Sequence, residues 1–239
     1  MFGIARLNNL AIGAAAPAGY TVPTAEFTDD SSTKLLLHLN SSAVDTVGSG
    51  RTAKTMTSGG GLTYNTSNKK FGTASANHPS STTTASFVNT VTTHTDFTFM
   101  DKDFTIEAWV YFTSVTADFE YGYGSGVPKF IGKHDGGGNW AWSFGISSSG
   151  YPKIYYYQGG YQEAVGSTTA STSTWNHIMF DFRNSDKRLR IGLNGAFVHE
   201  SLRTGIADPG GNQLRIGTIR LNNPAFLIDE VRVSHILRY

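Results

Sequence analysis

The sequence contains no cysteine among its 239 residues, and charged residues make up only 15% of it. Without cysteine there are no disulfide bonds, no thiol catalysis and no cysteine-bound zinc. The net charge is +1, the pI is about 8.0, and lysine and arginine form no cluster. Because nucleic-acid-binding domains usually have a basic stripe and a pI above about 9, we expect no nucleic-acid partner. No apolar run approaches the about 18 residues of a membrane-spanning helix, so no membrane span is expected.

Glycine, serine, threonine and aromatic residues dominate the sequence instead, with 27 glycines and 13% aromatic residues. This composition favours strands over helices. Short runs of alternating apolar and polar residues recur along the chain, as expected for strands with one buried face. In residues 103–110, the predicted core-facing set is Phe104, Ile106, Ala108 and Val110. The chain length suits one β-sandwich.

Residues 175–239 contain the clearest series of strands. Residues 190–193 lead into Asn194-Gly195, and residues 196–198 lead out of it. Both central residues tolerate the positive φ of a type I′ turn, so the pattern predicts a hairpin. Residues 228–234 are predicted to form the last strand, with a bulge at Asp229-Glu230.

These motifs resemble the laminin-G-like jelly roll of the concanavalin A-like lectin and glucanase superfamily. Further family motifs follow in the expected order at residues 34–40, 70–72, 103–110, 130–133, 142–146, 164–167 and 175–178. The resemblance covers roughly residues 34–239. It implies an all-β, two-sheet antiparallel jelly-roll sandwich with an extended N-terminal arm. We therefore expect an arm over residues 1–30 and a jelly-roll domain over residues 31–239.

The glutamates argue against hydrolysis. Laminarinase-type members of the superfamily carry Glu-x-Asp-x-x-Glu on one strand, and a retaining carboxylate pair stands about 5–5.5 Å apart. The chain has six glutamates, and none is followed by an acidic residue at those spacings. We therefore predict a protein that is not an enzyme. Glu107 and the pair Asp229-Glu230 are expected to be structural carboxylates that hydrogen-bond to neighbouring strands or loops.

The sequence predicts no resident cofactor. Some jelly rolls bind Ca²⁺ through six to eight oxygen ligands, as calcium sites require. Asp29, Asp30, Asp45 and Asp229 are conceivable contributors, but they follow no fixed metal-binding spacing. The histidines also lack zinc spacing. By its likeness to the family's Trp-x-His motif, His177 is expected to pack and hydrogen-bond within the fold.

Aromatic residues concentrate between positions 121 and 161. Aromatic rings can cover the apolar face of a sugar, while Asp and Asn side chains bind its hydroxyl groups, so this set predicts a glycan-binding groove. The same composition is typical of a protein–protein interface. A third alternative is that members such as Trp142 and Tyr156 fill the sandwich core. The candidate residues for binding a glycan or a partner are Tyr121, Tyr123, Asp135, Asn139, Trp140, Tyr157 and Tyr161.

The N-terminal arm carries apolar residues that we expect to anchor it in a neighbouring subunit, namely Phe2, Ile4, Leu7, Leu10 and Ile12. Residues 10–19 resemble the apolar region of a secretory signal. However, Arg6 is the only charged residue before them, and Asn8-Asn9 interrupts the apolar stretch. A secretory signal and a flexible leader remain the alternatives to an assembly arm.

The short N-terminal segment and the opening Leu-Leu-Leu-His-Leu at residues 35–39 make the chain similar to virion proteins of marine bacteriophages. That resemblance implies a non-catalytic structural protein of the virion, as a capsid decoration, tail or fibre component. Its partners would be other virion proteins and copies of itself, and we expect a homo-oligomer, a trimer. The alternative is an extracellular, lectin-like module that binds cell-surface glycans.

Overall fold

The computed structural model describes residues 19–48, 50–80, 86–99, 102–115, 120–121, 127–128, 130–134, 140–203, 213–218 and 225–239. Helical structure in this part of the chain is limited to one 3-10 turn, Thr95–Phe97. The strands are β1 (Thr33–Leu37), β2 (Met56–Gly59), β3 (Thr63–Asn65), β4 (Ser75–His78), β5 (Ser86–Thr90), β6 (Phe104–Tyr111), β7 (Glu120–Tyr121), β8 (Val127–Pro128), β9 (Ile131–His134), β10 (Trp140–Ile146), β11 (Pro152–Tyr157), β12 (Tyr161–Val165), β13 (Trp175–Arg183), β14 (Arg188–Leu193), β15 (Ala196–Leu202), β16 (Gln213–Thr218) and β17 (Phe226–Ser234).

The strands form two large antiparallel sheets. The front sheet has eight strands in the order β15-β14-β13-β6-β17-β4-β3, and β1 also pairs with β17. The back sheet has seven strands in the order β12-β11-β10-β9-β16-β5-β2. β7 and β8 pair with each other in a small separate sheet. Neighbours such as β6 and β17 are far apart in sequence, and this connectivity confirms the predicted two-sheet jelly-roll sandwich.

The core lies between the two sheets. Phe104, Ile106, Ala108 and Val110 of β6 are all buried in it, which confirms the face predicted from their alternation. Phe180 of the front sheet contacts Phe144 of the back sheet, with 5.9 Å between ring centroids. The core-filling alternative is likewise confirmed for Trp142 and Tyr156.

The predicted hairpin connects β14 to β15. Asn194 and Gly195 have φ values of 48° and 91°, as a type I′ turn requires. The Asn194 side chain also accepts a hydrogen bond from the His177 backbone N–H at 2.8 Å. The turn therefore holds together β13, β14 and β15.

The predicted bulge occurs in β17. Its register against β6 shifts between Asp229 and Arg232, and Glu230 adopts a positive φ of 54°. Positive φ is rare for a residue with a long side chain, so surrounding contacts must hold this conformation. Glu230 accepts hydrogen bonds from the Phe27 backbone N–H at 2.7 Å and from His38 Nδ1 at 2.8 Å.

Residues 19–30 pack against the outer face of the front sheet. The Tyr20 N–H donates to the Gly195 carbonyl at 2.7 Å, and Phe27 packs with Leu36 and Trp109 in a second apolar cluster. This part of the predicted arm thus lies on the sandwich rather than extending from it. The predicted anchoring residues Phe2, Ile4, Leu7, Leu10 and Ile12 lie outside the described residues.

Candidate functional site

One row of side chains crosses the outer face of the back sheet. Ile154, Tyr156 and Ile216 point into the core, so the residues that alternate with them face outward. The pairing of the seven strands aligns one outward residue from each strand. This cross-sheet row consists of Glu163 of β12, Tyr155 of β11, Ser143 of β10, Gly132 of β9, Arg215 of β16, Asn89 of β5 and Thr57 of β2.

Three tyrosines occupy one end of this face, and we call Tyr155, Tyr157 and Tyr161 the tyrosine cluster. The rings of Tyr155 and Tyr161 are stacked, with centroids 5.1 Å apart and planes inclined by 21°. Tyr157 meets Tyr161 edge to face, with 5.4 Å between centroids. Tyr161 remains 46% exposed on the edge strand β12. The cluster therefore offers an aromatic surface to solvent.

An ion pair lies beside the tyrosine cluster. Lys153 Nζ stands 2.9 Å from Glu163 Oε2, and the Lys153 side chain is buried while that of Glu163 is exposed. Lys153 and Tyr155 are alternate residues of β11, and Glu163 pairs with Tyr155 across β12. Burial, followed by the nearby Tyr161 and Glu163, raises the pKa of the Tyr155 phenol. A neutral phenol, an ammonium group and a carboxylate can donate and accept hydrogen bonds next to the aromatic surface.

The centre of the face is built from small residues and is covered. Ser143 pairs with Gly132 across β10 and β9, and Gly145 follows on the same side of β10. The backbone of β8 lies against β10 and β11. Arg215 stands three strands away from Tyr155, which is about 14 Å at the usual strand spacing. The tyrosine cluster and Arg215 therefore occupy two separate positions on one face.

Arg215 is a half-buried cation on β16, beyond the covered centre of the face. Its guanidinium carbon lies 5.0 Å from the centroid of the Phe87 ring. Among the described residues, none accepts a hydrogen bond from its shielded Nε. Burial lowers the pKa of Arg215 to about 10, which leaves the group protonated at neutral pH. Asn89, its partner across β5, has a buried amide oxygen without a donor in the same part of the chain.

The structure brings together two of the seven predicted binding residues, Tyr157 and Tyr161. Tyr121 and Trp140 lie in β7 and β10, but their side chains lie outside the described part. Tyr123, Asp135 and Asn139 also lie outside the described residues. The assignment of all seven as binding residues stays a prediction.

Four residues of this face are absent from the predicted binding residues: Lys153, Tyr155, Glu163 and Arg215, of which Tyr155 belongs to the aromatic set between positions 121 and 161. The alternation of β11 already contained the necessary signal for the first two, because Lys153 and Tyr155 alternate with core-facing residues. Glu163 and Arg215 depend on knowing which strands are neighbours in the back sheet. That information is not local to either strand.

Glu107 belongs to a buried network on the front sheet. It contacts Arg232 at 2.7 Å and His177 at 3.2 Å, and it accepts a hydrogen bond from the Tyr239 hydroxyl. Burial opposes ionisation, but the hydrogen bond from His177 and the charge of Arg232 hold the pKa of Glu107 below its usual value. His177 also bonds to Tyr20. The predicted structural roles of Glu107 and His177 are confirmed.

The four aspartates named as conceivable calcium ligands have other contacts. Asp29 and Asp45 pair with Arg51 at 2.9 and 2.6 Å, and Asp30 pairs with Arg238 at 2.6 Å. Asp229 accepts the backbone N–H groups of residues 70 and 71, and burial raises its pKa to about 7. These contacts give all four aspartates structural roles.

A different group, Glu26, His38 and Glu230, brings three potential metal ligands within 4.8 Å of one another. Its members are already paired within the protein. Glu230 accepts hydrogen bonds with both oxygens, and Glu26 accepts one from Asn40 at 3.0 Å. The hydrogen bond to Glu230 raises the pKa of His38. The three side chains lie close together because these hydrogen bonds hold Glu230 in the bulge of β17.

The two antiparallel sheets and their connectivity define a concanavalin A-like sandwich. Residues 80–238 match the Laminin_G_3 family of the concanavalin A-like lectin/glucanases superfamily, and the chain belongs to this family. No curated protein sequence shows significant similarity to it. None of the helical structure in the described residues has the length and apolar character needed to cross a bilayer.

Several solved structures share the fold. The binding domain of paraclostridial mosquitocidal protein 1 has a TM-score of 0.65 at 15% identity, over 87% of this chain and 50% of that one. The binding domain of botulinum neurotoxin DC, in complex with rat synaptotagmin II, has a TM-score of 0.63 at 15% identity, over 86% of this chain and 48% of that one. The chain thus spans about half the length of these toxin domains. Domain 4 of the Geobacillus stearothermophilus arabinanase AbnA, in complex with arabinotriose, has a TM-score of 0.59 at 14% identity, over 85% of this chain and 92% of that one.

Proposed function

We propose that this protein is a non-catalytic carbohydrate-binding module and that the tyrosine cluster is its sugar-stacking surface. The observation that carries the proposal is the exposed Tyr161 ring, backed by Tyr155 and Tyr157 and flanked by the Lys153–Glu163 ion pair. A sugar ring has an apolar face of C–H groups and a rim of hydroxyl groups. Aromatic rings cover the first, and the ion pair supplies hydrogen-bond donors and acceptors for the second.

Binding without hydrolysis fits the carboxylates of this face. Among the side chains that the structure describes there, Glu163 is the one carboxylate of the tyrosine end, and it pairs with Lys153 at 2.9 Å. A retaining glycosidase needs two carboxyl groups about 5–5.5 Å apart. The similar fold of AbnA domain 4, whose structure holds arabinotriose, supports a sugar ligand for this architecture.

The proposal is tested by measuring binding to immobilised oligosaccharides, with linear pentose, hexose and hexuronic acid trisaccharides as probes and arabinotriose among them. We expect the Tyr157→Ala/Tyr161→Ala double variant to lose at least about tenfold in affinity, or about 1.4 kcal/mol. Tyr161→Phe keeps the ring and should retain binding. Leu202→Ala, which removes an exposed apolar side chain from the front sheet, is the matched control. Failure of the wild-type protein to bind any probe would refute the proposal.

We further propose that the module belongs to a virion and is held there through residues before Gly19. One observation favours this arrangement. Residues 19–30 lie on the outer face of the front sheet, whereas the tyrosine cluster faces outward from the back sheet. An attachment through the N-terminal segment would therefore leave the sugar-binding face directed away from the attachment point.

Deletion of residues 1–18 tests the attachment role, because it spares the segment that packs on the sheet. We expect the truncated protein to keep its melting temperature and to lose homo-oligomer formation, measured by analytical ultracentrifugation. An unchanged oligomer size would argue against an assembly role of the arm, and a wild-type size other than three copies would argue against the trimer. Either result would leave the sugar-binding proposal intact.

A further inference from the structure

Arg215 lies on the same outward face as the tyrosine cluster, and its described neighbours on that face include no counter-ion. Its cross-strand neighbours are Asn89 and Gly132, and its neighbours along β16 on the same face are Gln213 and Gly217. None of these residues is acidic. The acidic residue of the cross-sheet row, Glu163, is four strands away and paired with Lys153.

The burial of Arg215 makes this isolation significant. A charged group removed from water is strongly disfavoured unless it is paired or hydrogen-bonded. The guanidinium packs on the Phe87 ring, and its shielded Nε has no acceptor in the described part of the chain. The contact with Phe87 stabilises the cation but provides no hydrogen-bond acceptor for Nε.

The neighbouring amide indicates what kind of anion would fit. Asn89 lies opposite Arg215, and its amide oxygen is buried without a donor in the described residues. The planar guanidinium matches a carboxylate through two parallel N–H···O bonds, whereas an amide oxygen accepts from a hydroxyl group. A sugar acid presents a carboxylate and hydroxyl groups on the same ring.

We propose that Arg215 and Asn89 form a subsite for the carboxylate-bearing sugar of an acidic saccharide. This inference rests on the proposed carbohydrate-binding function and specifies its ligand class. The subsite stands about 14 Å from the tyrosine cluster, which is farther than one sugar ring extends. A ligand that contacts both positions is therefore an oligosaccharide that passes over the covered centre of the face, with a neutral or acidic unit stacked on the tyrosines and an acidic unit at Arg215.

The test compares hexuronic acid and N-acetylneuraminic acid oligosaccharides with their methyl esters, which differ only in charge and one methyl group. Wild-type protein should bind at least one acid at least tenfold more tightly than its ester, and the preference should weaken with added salt. Arg215→Gln should remove the preference, because it weakens binding of the acid more than binding of its ester. Arg215→Lys should keep only part of the preference for the acid, because an ammonium group cannot form the bidentate contact.

Arg183→Gln on the front sheet is the charge-matched control, since Arg183 is a half-exposed arginine far from this face. Equal affinity of the wild-type protein for every acid and its ester would overturn the inference while the carbohydrate-binding function stands. A preference for sulfated over carboxylated sugars would also overturn the carboxylate assignment. Absence of binding to acids, esters and neutral sugars alike would refute the proposed function itself, and the inference with it.

Discussion

The hydroxyl group of Tyr20 lies 3.0 Å from Nδ1 of His177, although the two residues are 157 positions apart in the sequence. The Tyr20 ring also packs against that of Tyr239, with 4.6 Å between centroids. The beginning of the described chain, strand β13 and the last residue therefore meet on the outer face of the front sheet. Residues from Gly19 onward are part of the sandwich.

Gly192 makes room for this docking, and Gly192→Ala should weaken it. A Cβ atom at position 192 would lie 2.6 Å from both Tyr20 Cε1 and Met179 Cγ. We expect the free energy of unfolding to fall by about 1–3 kcal/mol, as for other overpacked sites. Chemical denaturation measures this loss. Gly160→Ala is the control, because nothing lies within 4 Å of its Cβ position, and an equal effect of both changes would contradict the role of Gly192.

The charge of Glu107 should be essential to the buried network. Glu107→Gln would leave the Arg232 guanidinium, now 2.7 Å from the carboxylate, without its counter-charge. Removing one partner of a buried ion pair costs about 3–5 kcal/mol, and we expect a loss of this size in denaturant titrations. Glu163→Gln changes an exposed carboxylate and should cost less than about 1 kcal/mol. Similar losses for both variants would show that the network does not depend on the Glu107 charge.

His78 should make the fold sensitive to acid. Its ring stacks on Phe226 with 4.4 Å between centroids, and burial lowers its pKa to about 4 from the ordinary 6.5. Between these values the folded protein binds fewer protons than the unfolded chain. The contribution of His78 to stability is therefore fully present above pH about 6.5 and is lost as the pH falls toward 4, by at most about 1.4 kcal/mol per pH unit.

Denaturant titrations of wild-type protein and His78→Phe between pH about 7.5 and 4.5 isolate this contribution. Other groups act in the opposite direction, since the raised pKa of Asp229 makes its contribution fall as the pH rises from about 4 to about 7. Both proteins contain Asp229, so its contribution cancels when the free energies of unfolding of the two proteins are subtracted at each pH. We expect a shallower acid slope in the variant, and identical slopes would disprove the assignment to His78.

Patterns local to one strand or turn predicted much of the fold. Strict alternation identified the buried face of β6, the Asn194-Gly195 pair identified the hairpin, and the two acids at 229 and 230 identified the bulge. Each of these features depends on a few consecutive residues. The local period of two decides which way a side chain points, whatever the neighbouring strand is.

The candidate site was only partly predictable, because it depends on contacts between distant strands. Tyr157 and Tyr161 stood out by residue type. In contrast, the isolation of Arg215 follows from the position of β16 between β9 and β5, which no residue of β16 specifies alone. The docking of Tyr20 on Gly192 is likewise long-range, and no local pattern of either segment predicts it.

The most direct test of the carbohydrate-binding account is a nuclear magnetic resonance titration of the ¹⁵N-labelled protein with an oligosaccharide from the binding panel. We predict that backbone amide shifts concentrate in β11 and β12, around Tyr157 and Tyr161, and disappear in the double alanine variant. Shifts confined to the front sheet around Tyr20 and Gly192, or no shifts with any member of the panel, would contradict the account.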